Sequence, residues 1–242
     1  MNRWHVIYQN PETARPDAER LDFGLGVAGE EGLSEARRRL FAKLRAEVPD
    51  DRVIRAMEAV PRELFVPPEA FHLAYEDHPL AIGEGQTISQ PLIVAMMTSA
   101  LDLKPGDTVL EIGTGSGYQA AVLARLAKHV VSVERKQGLL ESARRRLHTL
   151  GIENVELHRA AGKLGWPEGT PYQAIVVTAA SPRVPDGLVR QLDEGGRLVI
   201  PSGSKVQQEL LKGTRRGGRL MMEDLGPCGF VPLIGEEAWA EE

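Results

Sequence analysis

The stretch Val109-Leu110-Glu111-Ile112-Gly113-Thr114-Gly115-Ser116-Gly117 limits what this chain can fold into more than any other. A short apolar run passes directly into three glycines at alternate positions. Glycine lets a backbone turn sharply at positive φ, and it lets a ligand approach without a Cβ in the way. A helical pattern follows over 118–127, so the unit reads as strand, tight loop, helix. The alternation then continues. Apolar strands are predicted at 108–112, 130–133, 155–158, 174–178 and 197–200, with helices at 118–127, 137–150 and 184–191 between them. Gly151 suits the C-terminal cap of the second of these helices. Strands alternating with helices specify an α/β protein with a doubly wound, mostly parallel sheet covered on both faces. A late antiparallel pair is expected at 209–214 and 220–225, joined at Arg216-Gly217-Gly218.

The loop also has a chemistry. Its Gly-x-Gly-x-Gly spacing is neither the Gly-x-Gly-x-x-Gly dinucleotide fingerprint nor a phosphate loop ending in Gly-Lys-Ser/Thr. No Lys or Arg lies within it, so a ligand without phosphates is favoured, with the amides at the helix start facing it. The next strand ends at Glu134. Adjacent parallel strands end at one edge of the sheet, which brings that acid beside the loop. A carboxylate there can accept hydrogen bonds from both hydroxyls of a ribose. A ribose, an adenine and no phosphate together point to S-adenosyl-L-methionine.

Upstream, helices are expected at 33–48 and 50–60, the second ended by Pro61. Residues 80–90 are Gly-rich and read as a loop. A helix at 91–101 follows, with Ser89 as N-cap candidate and Pro91 in its first turn. Residues 1–30 lack a sustained apolar period and read as a loosely held extension, in which Trp4, Val6 and Tyr8 could pair as a short strand. The division expected is this extension and one domain at 31–242, comprising an N-terminal helical and active-site loop part (31–103), a cofactor-binding core (104–201) and C-terminal strands and tail (202–242). The six histidines are dispersed without metal-ligand spacing, so no metal is expected. A formal net charge of −5 with scattered arginines gives no support for nucleic-acid binding. No apolar stretch is long enough to span a bilayer, and the first ten residues carry no apolar signal core. Cys228 is the single cysteine. A cytoplasmic monomer is the expectation.

Several blocks, taken in order, resemble the protein-L-isoaspartate O-methyltransferase family over about residues 33–235. They are Pro61-Arg62-Glu63-Leu64-Phe65-Val66-Pro67, Ala74-Tyr75-Glu76-Asp77, Gly85-Gln86-Thr87-Ile88-Ser89-Gln90-Pro91, the glycine loop continued through Tyr118-Gln119-Ala120-Ala121, and Val131-Ser132-Val133-Glu134-Arg135. Later come Val177-Thr178-Ala179-Ala180, Gln191-Leu192 with Gly195-Gly196, and Phe230-Val231-Pro232-Leu233. The Gln86–Pro91 block is the specific one, since the glycine motif is shared by many methyltransferases. The resemblance implies a protein repair enzyme that methylates the free α-carboxylate of L-isoaspartyl residues in damaged peptides and proteins. It implies a catalytic role for Ser89. It implies S-adenosylmethionine bound by Gln86, Thr87, Ile88, Ser89, Glu111, Gly113, Thr114, Gly115, Gly117, Glu134, Arg135, Ala161 and Gly162.

Two departures stand out. Ala160-Ala161-Gly162 replaces the family's Gly-Asp-Gly, and Gln173 replaces an Asp. A lost charge-assisted hydrogen bond costs about 1.5–3 kcal/mol, roughly ten- to a hundredfold in cofactor affinity. Two other readings therefore stay open at this point. One is a peptide- or partner-binding module with little methyl transfer. The other is a methyltransferase for another carboxylate or a small molecule.

Overall fold

A computed structural model of the chain describes residues 27–160 and 162–241. The short strand expected around Trp4, Val6 and Tyr8 lies outside the described residues. Helix α1 (Val27–Glu47) starts six residues before the expected 33. Gly29 and Gly32 interrupt its apolar period, and each costs about 1 kcal/mol in a helix, which is why the pattern read from sequence begins later. Helix α2 (Asp51–Glu58) is capped by Asp50, whose carboxylate accepts the Arg52 amide at 3.1 Å. Two short 3₁₀ segments, Arg62–Phe65 and Pro68–Leu73, lead to the 80–90 strip.

That strip departs from the sequence reading. Residues 80–90 form a β-hairpin rather than a loop, with strands β1 (Leu80–Gly83) and β2 (Gln86–Ile88). Its turn runs through positive φ at Gly83 (91°), Glu84 (49°) and Gly85 (72°), which is why the glycines were needed. Helix α3 (Pro91–Ala100) follows. Its N-cap is Gln90, not Ser89, and no cap side chain bonds the helix. Asp77 does that work from a distant segment, accepting the Leu92 amide at 2.9 Å. Ser89 is thereby left outside the helix.

The main sheet has seven strands: β3 (Thr108–Ile112), β4 (His129–Glu134), β5 (Val155–Arg159), β6 (Tyr172–Val177), β7 (Leu192–Gly203), β8 (Gln208–Arg216) and β9 (Arg219–Cys228). Their spatial order is β5-β4-β3-β6-β7-β8-β9. The first five are parallel, and β8 and β9 add as antiparallel strands. Helices α4 (Tyr118–Ala124), α5 (Gln137–Thr149) and α6 (Asp186–Gln191) are the crossovers.

Alternation along the strands divides the core. Val109, Val130, Val176 and Val199 pack with Met97 and Leu101 of α3 and Leu123 of α4. Leu110, Ile112, Val133, Ile175 and Leu198 pack on the other face with Leu188 of α6 and Leu233. A third cluster joins α1 and α2 to Ile88, Val94, Tyr118 and Val122. Burying one such side chain fully is worth about 1.5–3 kcal/mol, so the N-terminal helices are packed onto α3 and α4 rather than merely tethered. The chain runs outward from β3 to β5 and returns to β6 on the other side of β3. Ligands of open α/β sheets sit outside the strand carboxyl ends at such a reversal.

Candidate active site

A cavity of about 400 Å³ opens at that reversal. Ile112, Gly113, Thr114 and Gly115 form one wall, and Glu134 and Arg135 stand at the end of the neighbouring strand. Gln86, Thr87, Ile88 and Ser89 line the cavity from the hairpin side. Gly162 also lines it, beside Ala160. Ala161 lies outside the described residues.

The backbone explains the loop's composition. Gly113 has φ 98°, and a Cβ there would stand 2.3 Å from Thr178 Oγ1. The Thr178 hydroxyl donates toward the carbonyls of Ile112 (3.0 Å) and Gly113 (2.7 Å), which fastens β6 to the loop. Gly117, expected to touch the cofactor, does not line the cavity. With φ 90°, it lets α4 pass close to α5, since a Cβ would lie 3.1 Å from the Ala143 Cβ.

The loop amides also differ from the sequence reading. Gly113 and Thr114 donate to the Val133 carbonyl, Gly117 to the Thr114 carbonyl, and Gly115 to Glu134 Oε2 at 2.9 Å. Four amides are thus spent within the protein, and the loop offers no amide cradle of the phosphate-binding kind. Glu134 becomes the polar centre of this end. Its second oxygen accepts the Lys136 amide at 2.8 Å. One bond to each oxygen fixes the carboxylate and leaves lone pairs for two more donors. A vicinal diol fits that acceptor set, and the phosphate-free, glycine-walled loop fits a nucleoside thioether or sulfonium.

Glu111 was also expected among the cofactor residues. It does not line the cavity. It lies fully buried beneath the loop, accepting from the Ser132 hydroxyl at 2.5 Å, while Ser132 and Thr114 hydroxyls meet at 2.6 Å. Burial pushes its carboxyl up to about 8, opposed by the Ser132 bond and assisted by repulsion from Glu134. Burial thus favours its neutral form, and it supports Thr114 from below through Ser132.

Residues not singled out as site residues also line the walls, among them Val94, Tyr118 and Gln119 from α3 and α4, Arg159, Ala160 and 163–165 at and beyond the end of β5, Thr178 and Ala179 after β6, and residues 231–235 from the returning tail. Glu241 reaches the same cavity and pairs with Arg135. The Thr178 and Val231 blocks are visible in the sequence as family motifs, but their contact with a loop more than 60 residues away is not. Gln173 lies at the opposite edge of the sheet. Its amide oxygen accepts the Thr108 amide at 2.9 Å and its nitrogen donates to Asp193 at 3.1 Å. That departure is a strand-to-strand tie and leaves the cavity unaffected.

A family profile for protein-L-isoaspartate(D-aspartate) O-methyltransferase matches residues 35–238. The chain belongs to the protein-L-isoaspartate O-methyltransferase family. A relative of that name from Methanoculleus marisnigri is 53% identical over 195 residues, covering 81% of this chain and 89% of its own. One from Pelobacter propionicus is 56% identical over 194 residues, covering 79% and 86%. A solved structure bearing the family name superposes with a TM-score of 0.74 at 33% identity, over 84% of this chain and 67% of that one. A Plasmodium falciparum structure given the same family name, in complex with S-adenosyl-L-homocysteine, superposes at 0.71 with 26% identity, over 81% and 96%. Among the described residues of this family member, no helix is long and apolar enough to cross a membrane.

Proposed function

We propose that this protein is a repair methyltransferase that uses S-adenosylmethionine to esterify the α-carboxylate of L-isoaspartyl residues, working as a cytoplasmic monomer. The observation that carries the reading is the joining, in one cavity, of the Gln86–Ser89 strip to the glycine loop and Glu134. The relatives named above carry that activity in their names, and the Plasmodium structure holds the demethylated nucleoside.

Glu134 would hold the ribose hydroxyls, with Gly113, Thr114 and Gly115 against the amino-acid portion and Arg135, Ala160 and Gly162 toward the base. When bound, the cofactor supplies an electrophilic methyl group on a sulfonium. An α-carboxylate has a pKa of about 3.5 and is ionised near neutrality, so no side chain has to remove a proton. The chain's task is alignment and exclusion of water. Ile88, Val94 and Ile112 give the apolar wall, and the Ser89 hydroxyl orients the acceptor oxygen. The backbone nitrogen that follows the residue attacks the ester carbonyl and expels methoxide, which takes up the amide proton and departs as methanol, far more readily than the parent carboxylate could lose an oxide. The succinimide so formed is hydrolysed, which returns part of the material to aspartate.

Calorimetry with S-adenosylmethionine, followed by methyl transfer to an isoaspartyl peptide, tests this. Cofactor binding with transfer supports it. No cofactor binding favours the partner-binding module, and binding without transfer to that peptide favours another acceptor.

A further inference from the structure

Arg62 is the largest fully buried side chain among the described residues. No carboxylate among them forms an ion pair with it. Its Nε donates to the Ala74 carbonyl at 2.9 Å and its Nη2 to the Ser89 carbonyl at 2.8 Å. Its guanidinium carbon lies 4.8 Å from the centre of the Tyr118 ring. The nearby acids are engaged elsewhere. Glu63 takes the Tyr75 hydroxyl at 2.5 Å, and Asp77 takes Lys43 at 2.8 Å together with the Leu92 amide.

A guanidinium held this way is costly, because burial removes its hydration and no anion replaces it. The three groups it does touch have one thing in common. Ser89 ends the strip on one wall of the cavity. Tyr118 lines the same cavity and opens α4 directly after the glycine loop, its ring braced edge-on by Phe65 at 5.5 Å. Ala74 belongs to the connection that carries Asp77, which takes the Leu92 amide and the Gln90 side chain at 3.1 Å and so fixes the chain on the far side of Ser89.

We propose that Arg62 is a positioning residue of the methyl-acceptor site, setting the separation between the Ser89 strip and the Tyr118 helix that backs the cofactor. The inference rests on the acceptor assignment made above. Arg62 does not line the cavity, so it acts through Ser89 and Tyr118. The guanidinium's fixed fork of donors can reach two carbonyls while its carbon stays within 4.8 Å of the Tyr118 ring centre, whereas a lysine ammonium keeps the charge but cannot make all three contacts. Reacting atoms displaced by about 1 Å lose on the order of a hundredfold in rate.

The test is Arg62→Lys, read by calorimetry with S-adenosylhomocysteine and by KM and kcat on an isoaspartyl peptide. The expected result is nucleoside affinity within about threefold of the parent chain and kcat/KM for the peptide lowered by roughly a hundredfold. A plain packing role would lower nucleoside-binding capacity and peptide turnover together, in proportion to the folded fraction. That result, or unchanged peptide kinetics, overturns the proposal. If Arg62→Lys does not fold, a crystal of the unaltered chain with S-adenosylhomocysteine and the peptide decides. Arg62 still bonded to the Ser89 carbonyl while the Ser89 hydroxyl meets the substrate carboxylate supports it, and a Ser89 segment moved off Arg62 overturns it. An unaltered chain that binds the nucleoside but methylates no isoaspartyl peptide sinks the acceptor assignment and this proposal with it. An active parent with an unimpaired Arg62→Lys sinks the proposal alone.

Discussion

Glu111→Gln should make the protein more stable at alkaline pH. The parent carboxyl is fully buried and titrates at about 8, against 4.5 when exposed. Below about pH 4.5 it is protonated in both folded and unfolded chains. Between 4.5 and 8 the unfolded chain has released its proton and the folded chain has kept it. Stability therefore falls with rising pH, by up to about 1.4 kcal/mol per pH unit, and the loss is complete above 8. Asp50 and Asp102 are shifted the other way by Arg52 and by Lys104, and Asp77, against the opposing effect of burial, by Lys43 and the Leu92 amide, so their contributions are lost only in acid. Burial pushes the Cys228 thiol up to about 11 from 9.0, which adds a loss only near pH 9 and above. The window from pH 6 to 8.5 is thus governed chiefly by Glu111, which costs the parent about 2–3 kcal/mol across it. For a chain of this size that is roughly 5–10 °C in Tm. Glutamine keeps the shape, carries no charge at any pH, and should remove that slope. The assay is thermal melting of both proteins at pH 6, 7, 8 and 8.5. Parallel Tm-against-pH curves would refute the argument, because they would mean that Glu111 ionises normally beneath the loop.

Ser89→Ala should lower turnover on an isoaspartyl peptide while S-adenosylhomocysteine affinity, measured by calorimetry, stays near that of the parent. Unchanged turnover would remove Ser89 from the catalytic group. Glu134→Gln should weaken nucleoside binding about ten- to a hundredfold, since bonds to a charged acceptor are worth about 1.5–3 kcal/mol each; the same titration checks it. Gly113→Ala combines positive φ with a 2.3 Å clash against Thr178 Oγ1, and should abolish nucleoside binding and lower Tm. Arg197 donates to the carbonyls of Leu101 (2.6 Å), Asp102 (2.9 Å) and Gln173 (2.9 Å) and pairs with Asp107 at 2.5 Å, all at the edge remote from the cavity. Arg197→Ala should cost about 3 kcal/mol in denaturant unfolding and leave kcat/KM of the folded enzyme unchanged.

The parallel sheet was legible because its strands are apolar runs with helix-period segments between them, and because the glycine loop and Glu134 mark two neighbouring strand ends. The late antiparallel pair was legible through Arg216-Gly217-Gly218. The β1–β2 hairpin was not. Its strands hold only four and three residues, too few to show alternation, and the positive-φ glycines of its turn look like any loop. Strand β7 begins at Leu192 rather than 197, because its register against β6 shifts and absorbs the Gly195-Gly196 pair that looked like a boundary. The differences between the motif residues and the cavity lining have one physical origin. A motif residue can serve the ligand or the fold around it, and spacing does not separate the two. Gly117 belongs to helix packing, Glu111 to support under the loop, and the Ser89 cap role to Asp77. Residues 231–235 and Glu241 reach the cavity only because β8 and β9 bring the chain back. That return is a long-range consequence of topology rather than of local pattern.

The central claim is most directly tested by competition. The unaltered chain is incubated with S-adenosylmethionine and two peptides of one sequence, one carrying L-isoaspartate and the other normal L-aspartate at the same position, and methyl esters are counted by mass spectrometry. The expected result is ester on the isoaspartyl peptide alone, followed by succinimide and a rising share of normal aspartate. Ester formed equally on both peptides, or on neither while the nucleoside binds, would contradict the claim.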